Sequence, residues 1–304
     1  MTERITQAMV SSTVLADINA AYAALARSQS ELSSGKSILE PSDNPYGAGH
    51  AIELQSTLDG LASYAANAKD GTSWLNTATG SLAGIGQAVQ RVRELVVEAD
   101  NGTRNQGDRE MIAGEVEQLT EAVKQDANVQ YAGQYVFSGT LTSTPPYLSG
   151  EEDAYQGNAE KVTRAIGPSS TVTVNTDISS VLGSGQGAAD GKLLDVLRTV
   201  AQHLRGGSAE DLQGLRTKDL GRIDSNVNAL SVLETSVGAT TDQLRMAESR
   251  ITDLQNTATQ ALSNTEDANI AQVATEYSSQ QAGYNAALHA GAQIVQMSLL
   301  DFLH

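Results

Sequence analysis

The sequence has no cysteine, which excludes disulfide scaffolds, thiolate metal sites and cysteine nucleophiles. Aromatic residues are scarce: two Phe, one Trp and nine Tyr in 304 residues. A thick, rounded core is hard to fill without large rings, whereas small side chains suit helices that approach closely. Basic residues are also few. Nineteen Lys and Arg stand against 36 Asp and Glu, a net charge of −17. That balance excludes a basic nucleic-acid surface and polybasic adhesion to anionic lipid. The stretch from Met1 to Asp17 holds no continuous apolar run of the kind a secretory signal needs. From Tyr277 to Leu300 there is no formal charge, a length that could cross a bilayer. Gln280, Gln281, Asn285, His289, Gln293 and Gln296 would be costly in hydrocarbon, so no membrane span is expected there.

What is present is mostly Ala, Leu, Val and Ile. Hydrophobic residues make up 40% of the chain, and counting Gly in and Tyr out gives roughly 46%, within the ~45–50% of globular chains. Leu15, Ile18, Tyr22, Leu25 and Leu32 recur at 3-4 spacing and predict a helix over about 5–34. Gly35 and then Pro41-Ser42-Asp43-Asn44-Pro45 end it in a structural turn. A second helix is expected from about Tyr46 to Asp100, with Gly71, Gly80, Gly84 and Gly86 as places for a kink. Asn101-Gly102 marks its stop, and Asp108 is placed to cap a third helix bearing Ile112, Val116, Leu119 and Val123.

The helical period fades between Gln134 and Gly191. Tyr135-Val136-Phe137, Lys161-Val162-Thr163 and Thr171 to Val174 read as short strands among Gly and Pro. Helix resumes at Leu193 and stops at Gly206-Gly207. The longest regular stripe follows, through Leu230, Leu233, Val237, Thr240, Leu244, Ala247, Ile251, Leu254, Ala258 and Ala261. It continues, with an expected register slip, through Ile270, Val273, Tyr277, Tyr284 and Leu288 to Val295, Leu299 and Phe302. The expected fold class is therefore mainly α: a long antiparallel helical, coiled-coil bundle of the N- and C-terminal segments, with a small β-rich insertion in mid-chain. The simplest packing pairs the two ends at one tip of a rod and puts the insertion at the other. The divisions are 1–42 plus 265–304 for the terminal coiled coil, 43–133 plus 192–264 for a helical rod, and 134–191 for the insertion.

Chemistry-bearing motifs are not assembled. His50, His203, His289 and His304 lack ligand spacing, and no HExxH motif occurs. Gly183 to Lys192 has Gln186 where a phosphate loop needs Gly, and Leu193 where it needs Ser or Thr. No nucleophile elbow is present. Glu115, Glu117 and Glu121 read as a solvated helix face. Neither enzymatic activity nor a cofactor or metal is expected.

Both ends resemble the flagellin superfamily, and within it the hook–filament junction proteins. Arg4-Ile5-Thr6, Met9, Leu32-Ser33-Ser34-Gly35-Lys36, Ile38 and Pro41 to Pro45 with Ala48 carry the N-terminal likeness. Thr265-Glu266-Asp267, Ile270-Ala271 and Gln296 to Leu303 carry the C-terminal one. Gly133 to Thr140, Pro145-Pro146 and Tyr155-Gln156-Gly157 are similar in the middle. The Pro-Ser-Asp-x-Pro run is like the junction proteins, since flagellins usually continue differently there. Ser37 and Asn44 depart from the pattern, where a basic residue and a second Asp are common.

The resemblance implies a structural adaptor on the outside of the cell, exported through the flagellar type III route without a cleaved signal. Its implied partners are further copies of itself in a ring, hook-associated protein 1, flagellin, and a cytoplasmic export chaperone on the C-terminal segment. The assembly interface is expected at Ile5, Leu15, Ile18, Tyr22, Leu25, Leu32, Ile270, Val273, Tyr277, Tyr284, Leu288, Val295, Leu299 and Phe302. A flagellin, the bulk filament subunit, is the alternative, and a coiled-coil adaptor unrelated to flagella is a second. Charge is uneven along the chain: residues 1–40 carry −1, and 41–250 carry −11.

Overall fold

The computed structural model describes residues 7–100 and 105–302, with the side chains of 9, 11–100 and 105–293. Ile5 and the Asn101-Gly102 stop lie outside the described residues, as do the side chains of Val295, Leu299 and Phe302. The fold is mainly α, with long helices toward both ends. In order these are α1 (Gln7–Ser34), α2 (Pro45–Ala99), α3 (Gln106–Ala127), α4 (Ser179–Leu182), α5 (Leu193–Gly206), α6 (Ala209–Gly214), α7 (Leu220–Glu266) and α8 (Ile270–Phe302). A π-helical turn, Leu215–Asp219, joins α6 to α7. The strands are short: β1 (Gln130–Tyr131) with β2 (Gln134–Tyr135), and β3 (Thr163–Gly167) with β4 (Ser170–Thr173), each an antiparallel pair.

The chain forms two compact units. The first comprises Met1–Gly60 and Leu254–His304; the second is Leu61–Asp253. By these units the acidity divides differently from the simple middle-heavy expectation. The first unit holds three basic and eleven acidic residues, the second 16 and 25.

The second unit has one apolar core. Leu75, Leu82, Val89 and Val96 from α2 meet Ile112, Val116 and Val123 from α3, Leu193, Leu197, Val200 and Leu204 from α5, and Leu230, Val237 and Leu244 from α7. Phe137, Tyr147, Val172 and Val174 of the middle segment are buried in the same core. The single tryptophan, Trp74, is 1% exposed and stands edge-on to Tyr131 with ring centroids 6.0 Å apart.

Several sequence expectations shift by a few residues. α2 runs unbroken through its glycines, two of which make room for neighbours. A Cβ on Gly71 would lie 3.0 Å from both Leu244 and Val174, and one on Gly84 would lie 2.5 Å from Asp126 Oδ2. The N-cap of α3 is Asn105 rather than Asp108. Asn105 accepts from the Asp108 amide while Asp108 accepts from the Asn105 amide, so Asp108 is the reciprocal half of a capping box. Val136 and Phe137, expected in a strand, follow β2 as buried loop residues. The α7 stripe is buried or half-buried at every expected position except Leu254, which is exposed. At the expected slip the helix is interrupted: α7 ends at Glu266 and α8 starts at Ile270.

Candidate functional site

Two features of the first unit bear on assembly. One is the pairing of α1 with α8. Ser28 Oγ donates to Gln280 Oε1 at 2.5 Å, and the Tyr22 and Tyr284 rings lie 5.8 Å apart. Gly291 faces Ile18 and Val14, so closely that a Cβ there would stand 3.0 Å and 3.2 Å from their methyl groups. Residue numbers fall along one helix as they rise along the other, so the two are antiparallel. The covered side of α1 includes Val14, Ile18, Ala21, Leu25, Ser28 and Leu32; on α8 it is Val273, Tyr277, Gln280, Tyr284, Ala287 and Gly291. Both sets step by threes and fours, the spacing of a coiled-coil seam.

The expected interface residues divide between this seam and its flank. Ile18, Leu25, Leu32, Val273, Tyr277 and Tyr284 are half-buried or buried. Leu15, Tyr22, Ile270 and Leu288 are 61%, 59%, 49% and 42% exposed. Sequence reasoning missed Ser28, Gln280, Ala287 and Gly291 because polar and small residues carry no hydrophobic signal.

The other feature is a clip between the two interhelical turns. The Ser37 amide donates to the Glu266 carbonyl at 2.7 Å and the Ala268 amide to the Gly35 carbonyl at 2.9 Å. Lys36 Nζ lies 2.8 Å from Glu266 Oε1. Gly35 has φ 72°, a conformation that a side chain would strain. In the predicted structural turn, Asp43 Oδ2 accepts from the Glu40 and Leu39 amides, and Oδ1 meets Arg27 at 2.9 Å. Those two amides, and then Arg27, hold the Asp43 carboxyl below its ordinary range. Asn44 Oδ1 accepts from the Gly47 amide, so Asn44 caps α2 and Pro45 takes its first turn, where no amide is needed. Pro41 lies exposed ahead of it.

The second unit contains a buried ionic hub. Asp153 accepts from Arg198 Nη2 at 2.5 and 2.7 Å and from the Gln186 amide at 2.9 Å. Lys124, buried, reaches Glu121 at 2.5 Å, the Gly150 carbonyl at 2.7 Å and Asp153 at 3.4 Å. The hub therefore ties α3, α5 and the glycine-rich loop together. It lines a cleft of about 580 Å³ between α3 and α5 that also holds Glu117 and Arg205, themselves paired at 2.8 Å. A second pair, His203 Nδ1 and Asp219 Oδ2 at 2.6 Å, joins α5 to the π-helical turn; Asp219 is wholly buried and its Oδ1 has no hydrogen-bond partner. Apart from Lys124 with Glu121, three residues apart, these pairs were not legible, because their members lie far apart in sequence. Among the described residues no group of three or more His, Asp or Glu could hold a metal ion. No described helix is long and apolar enough to cross a membrane.

Residues 5–142 match the model of the bacterial flagellin N-terminal helical region. The chain is thus similar to the bacterial flagellins over that N-terminal stretch, a little under half of its length. It is 28% identical over 145 residues to flagellar hook-associated protein 3 of Escherichia coli K12, covering 47% of this chain and 45% of that protein. It is 28% identical over 189 residues to flagellin 1 of Proteus mirabilis, covering 60% and 52%. The chain thus spans about half the length of these two relatives. Among solved structures it is similar to flagellar hook-associated protein 3 of Legionella pneumophila, with a TM-score of 0.60, 18% identity and coverage of 70% and 98%. The Bacillus cereus FlgL structure gives 0.58, 18%, 69% and 99%. At these identities the structural likeness speaks for the fold.

Proposed function

We propose that the chain is a structural adaptor of the bacterial flagellum, seated between a hook-associated protein 1 layer and the flagellin filament. The observation that carries this is the α1–α8 pair. Its seam is thin and rich in small residues, and large apolar side chains stay exposed beside it. An amphipathic pair of this kind is completed by neighbouring subunits. The names of the relatives supply the setting, and the Pro41 to Pro45 turn favours a junction protein over a filament subunit. The chain reaches its place by type III export, joins a ring of its own copies, and before export is covered on its C-terminal segment by a cytoplasmic chaperone.

The test is Leu25→Asp, which puts a charge in the α1–α8 seam and leaves the core of the second unit untouched. The variant is expected to keep its Trp74 fluorescence and its second-unit melting transition, and to be missing from isolated flagella. Normal filament growth with Leu25→Asp would count against the adaptor role. Deleting 265–304 should abolish capture of the export chaperone. Copy number separates the flagellin reading: a junction protein is a trace component of sheared filaments, a filament subunit their main band.

A further inference from the structure

Two carboxylates, Asp153 and Asp219, are buried among the described residues, and they are neutralised differently. Asp153 faces Arg198 and Lys124, side-chain types that ordinarily titrate far above neutral pH. Asp219 faces His203, a type that gains and loses its charge near neutrality, and Asp219 Oδ1 has no hydrogen-bond partner. The pair sits at a joint. α6, the π-helical turn and α7 follow one another without a gap, and Leu215 and Asp219 are the buried members of the turn. Such a turn within a helical run often marks a functional site. α6 packs on α5 and on the π-helical turn, and none of its own residues is buried. A Cβ on Gly214, its last residue, would stand 3.1 Å from His203 Cε1, so the α6 backbone lies directly against the ring. Apolar burial thus does little to hold α6.

The charged groups around the ring come from few elements. The π-helical turn presents Asp219, and α6 presents Asp211. Ser208 and, to a smaller extent, the charge of the ring hold the Asp211 carboxyl below its ordinary range. The π-helical turn also carries Arg216, engaged with Asp100, and Lys218, which is exposed. α3 brings Arg109, engaged with Gln106, and Glu117, engaged with Arg205 of α5 itself. α4 has no charged residue. Among the described ion pairs His203 is therefore the one cation that Asp219 meets.

We propose that His203 and Asp219 form a proton-operated latch: with the ring charged, α6 and the π-helical turn are fastened to α5, and with the ring neutral they unfasten. Loss of the Nε2 proton to water leaves an Nδ1–H bond to Asp219 but removes the positive charge that faces a buried carboxylate, a costly state. The His203 side chain is about a quarter exposed, so its proton is open to water, whereas Asp219 is not. The latch is whole on the acid side of the ring's titration and weakens as pH rises through it. Its opening uncovers Leu204 and Leu215, both fully buried when it is closed. The device belongs to the second unit and is independent of the assembly role.

The test is amide hydrogen exchange of the full chain from about pH 5.5 to about 8.5, read by mass spectrometry and corrected for the chemical exchange rate. Peptides covering 207–220 should lose at least about tenfold in protection across that range, while those of the β3–β4 hairpin keep theirs. His203→Gln keeps a donor without a titrating charge and should leave 207–220 weakly protected at every pH. Asp219→Asn removes the buried charge and should leave it well protected at every pH. Asp211→Asn should keep the slope of the parent. A flat profile in the parent would overturn the proposal, as would an equal loss in the hairpin. So would a slope that survives in His203→Gln or Asp219→Asn, or one that vanishes in Asp211→Asn. Where Trp74 fluorescence shows that a variant has not folded, the parent's own profile, sloped in 207–220 and flat in the hairpin or not, still decides.

Discussion

Replacing Asp153 by Asn removes one charge and little volume, so its cost reports the buried ionic hub alone. In the parent, Arg198 directs one nitrogen at both Asp153 oxygens, and Lys124, 2% exposed, sits 3.4 Å away. The amide still offers an oxygen to the Gln186 amide. It cannot neutralise either cation. Breaking a buried ion pair by removing one partner costs about 3–5 kcal/mol. The lower end applies here, since Glu121 still faces Lys124 and the Arg198 side chain is about a quarter exposed. A loss of about 3 kcal/mol is expected, and with a denaturant slope of about 3 kcal/mol/M in urea the midpoint should fall by about 1 M. Trp74 is the only tryptophan and lies in the core of the same unit, so its fluorescence follows this transition without interference from the first unit. A midpoint within about 0.3 M of the parent, or about 1 kcal/mol, would refute the claim that the hub holds α3, α5 and the glycine-rich loop in register.

Three further outcomes are expected. His203→Ala leaves Asp219 buried with neither oxygen partnered and should destabilise the second unit by about 3 kcal/mol, whereas His203→Leu with Asp219→Leu should recover most of that loss in the same urea titration. Asn105→Ala removes half of the α3 capping box and should cost about 1 kcal/mol, seen as a thermal midpoint lower by a few degrees in circular dichroism. Burial is the main cause that raises both Tyr147 and Tyr155, Tyr155 to about 12. Their contribution is therefore whole below the unfolded tyrosine value of about 10 and lost as pH rises through their folded values, so ultraviolet titration should find these two ionising late and together with unfolding.

Long helices were readable because their stripes are long. Leu230 to Ala261 repeats often enough that one exposed member, Leu254, does not spoil the pattern. The α1 seam was harder. Leu15-Ile18-Tyr22-Leu25 and Val14-Ile18-Ala21-Leu25 both fit a 3-4 rhythm, and hydrophobicity favours the first. The fold uses the second: Val14, which lies against Gly291, and Ala21 are half-buried. The larger Leu15 and Tyr22 are left outside. Periodicity thus finds the helix and the half-buried Ile18, Leu25 and Leu32, and takes Leu15 and Tyr22 where the covered side has Val14 and Ala21. The long-range polar pairs escape for another reason: Asp153 with Arg198, and His203 with Asp219, are defined by how helices return on one another, and no local pattern encodes that return. In the middle segment, strands of two to five residues are set by turns such as Ala132-Gly133, whose positive φ values reverse the chain, rather than by runs of β-formers.

The bond between Ser28 and Gln280 joins residues 252 positions apart. Loop-closure entropy sets a cost for so distant a contact, and the contact cannot form while either end is still elsewhere. In a chain delivered end first, as the proposed role requires, the seam closes last. A seam drawn from both helices thus exists only in a chain whose two ends have both been made and brought together.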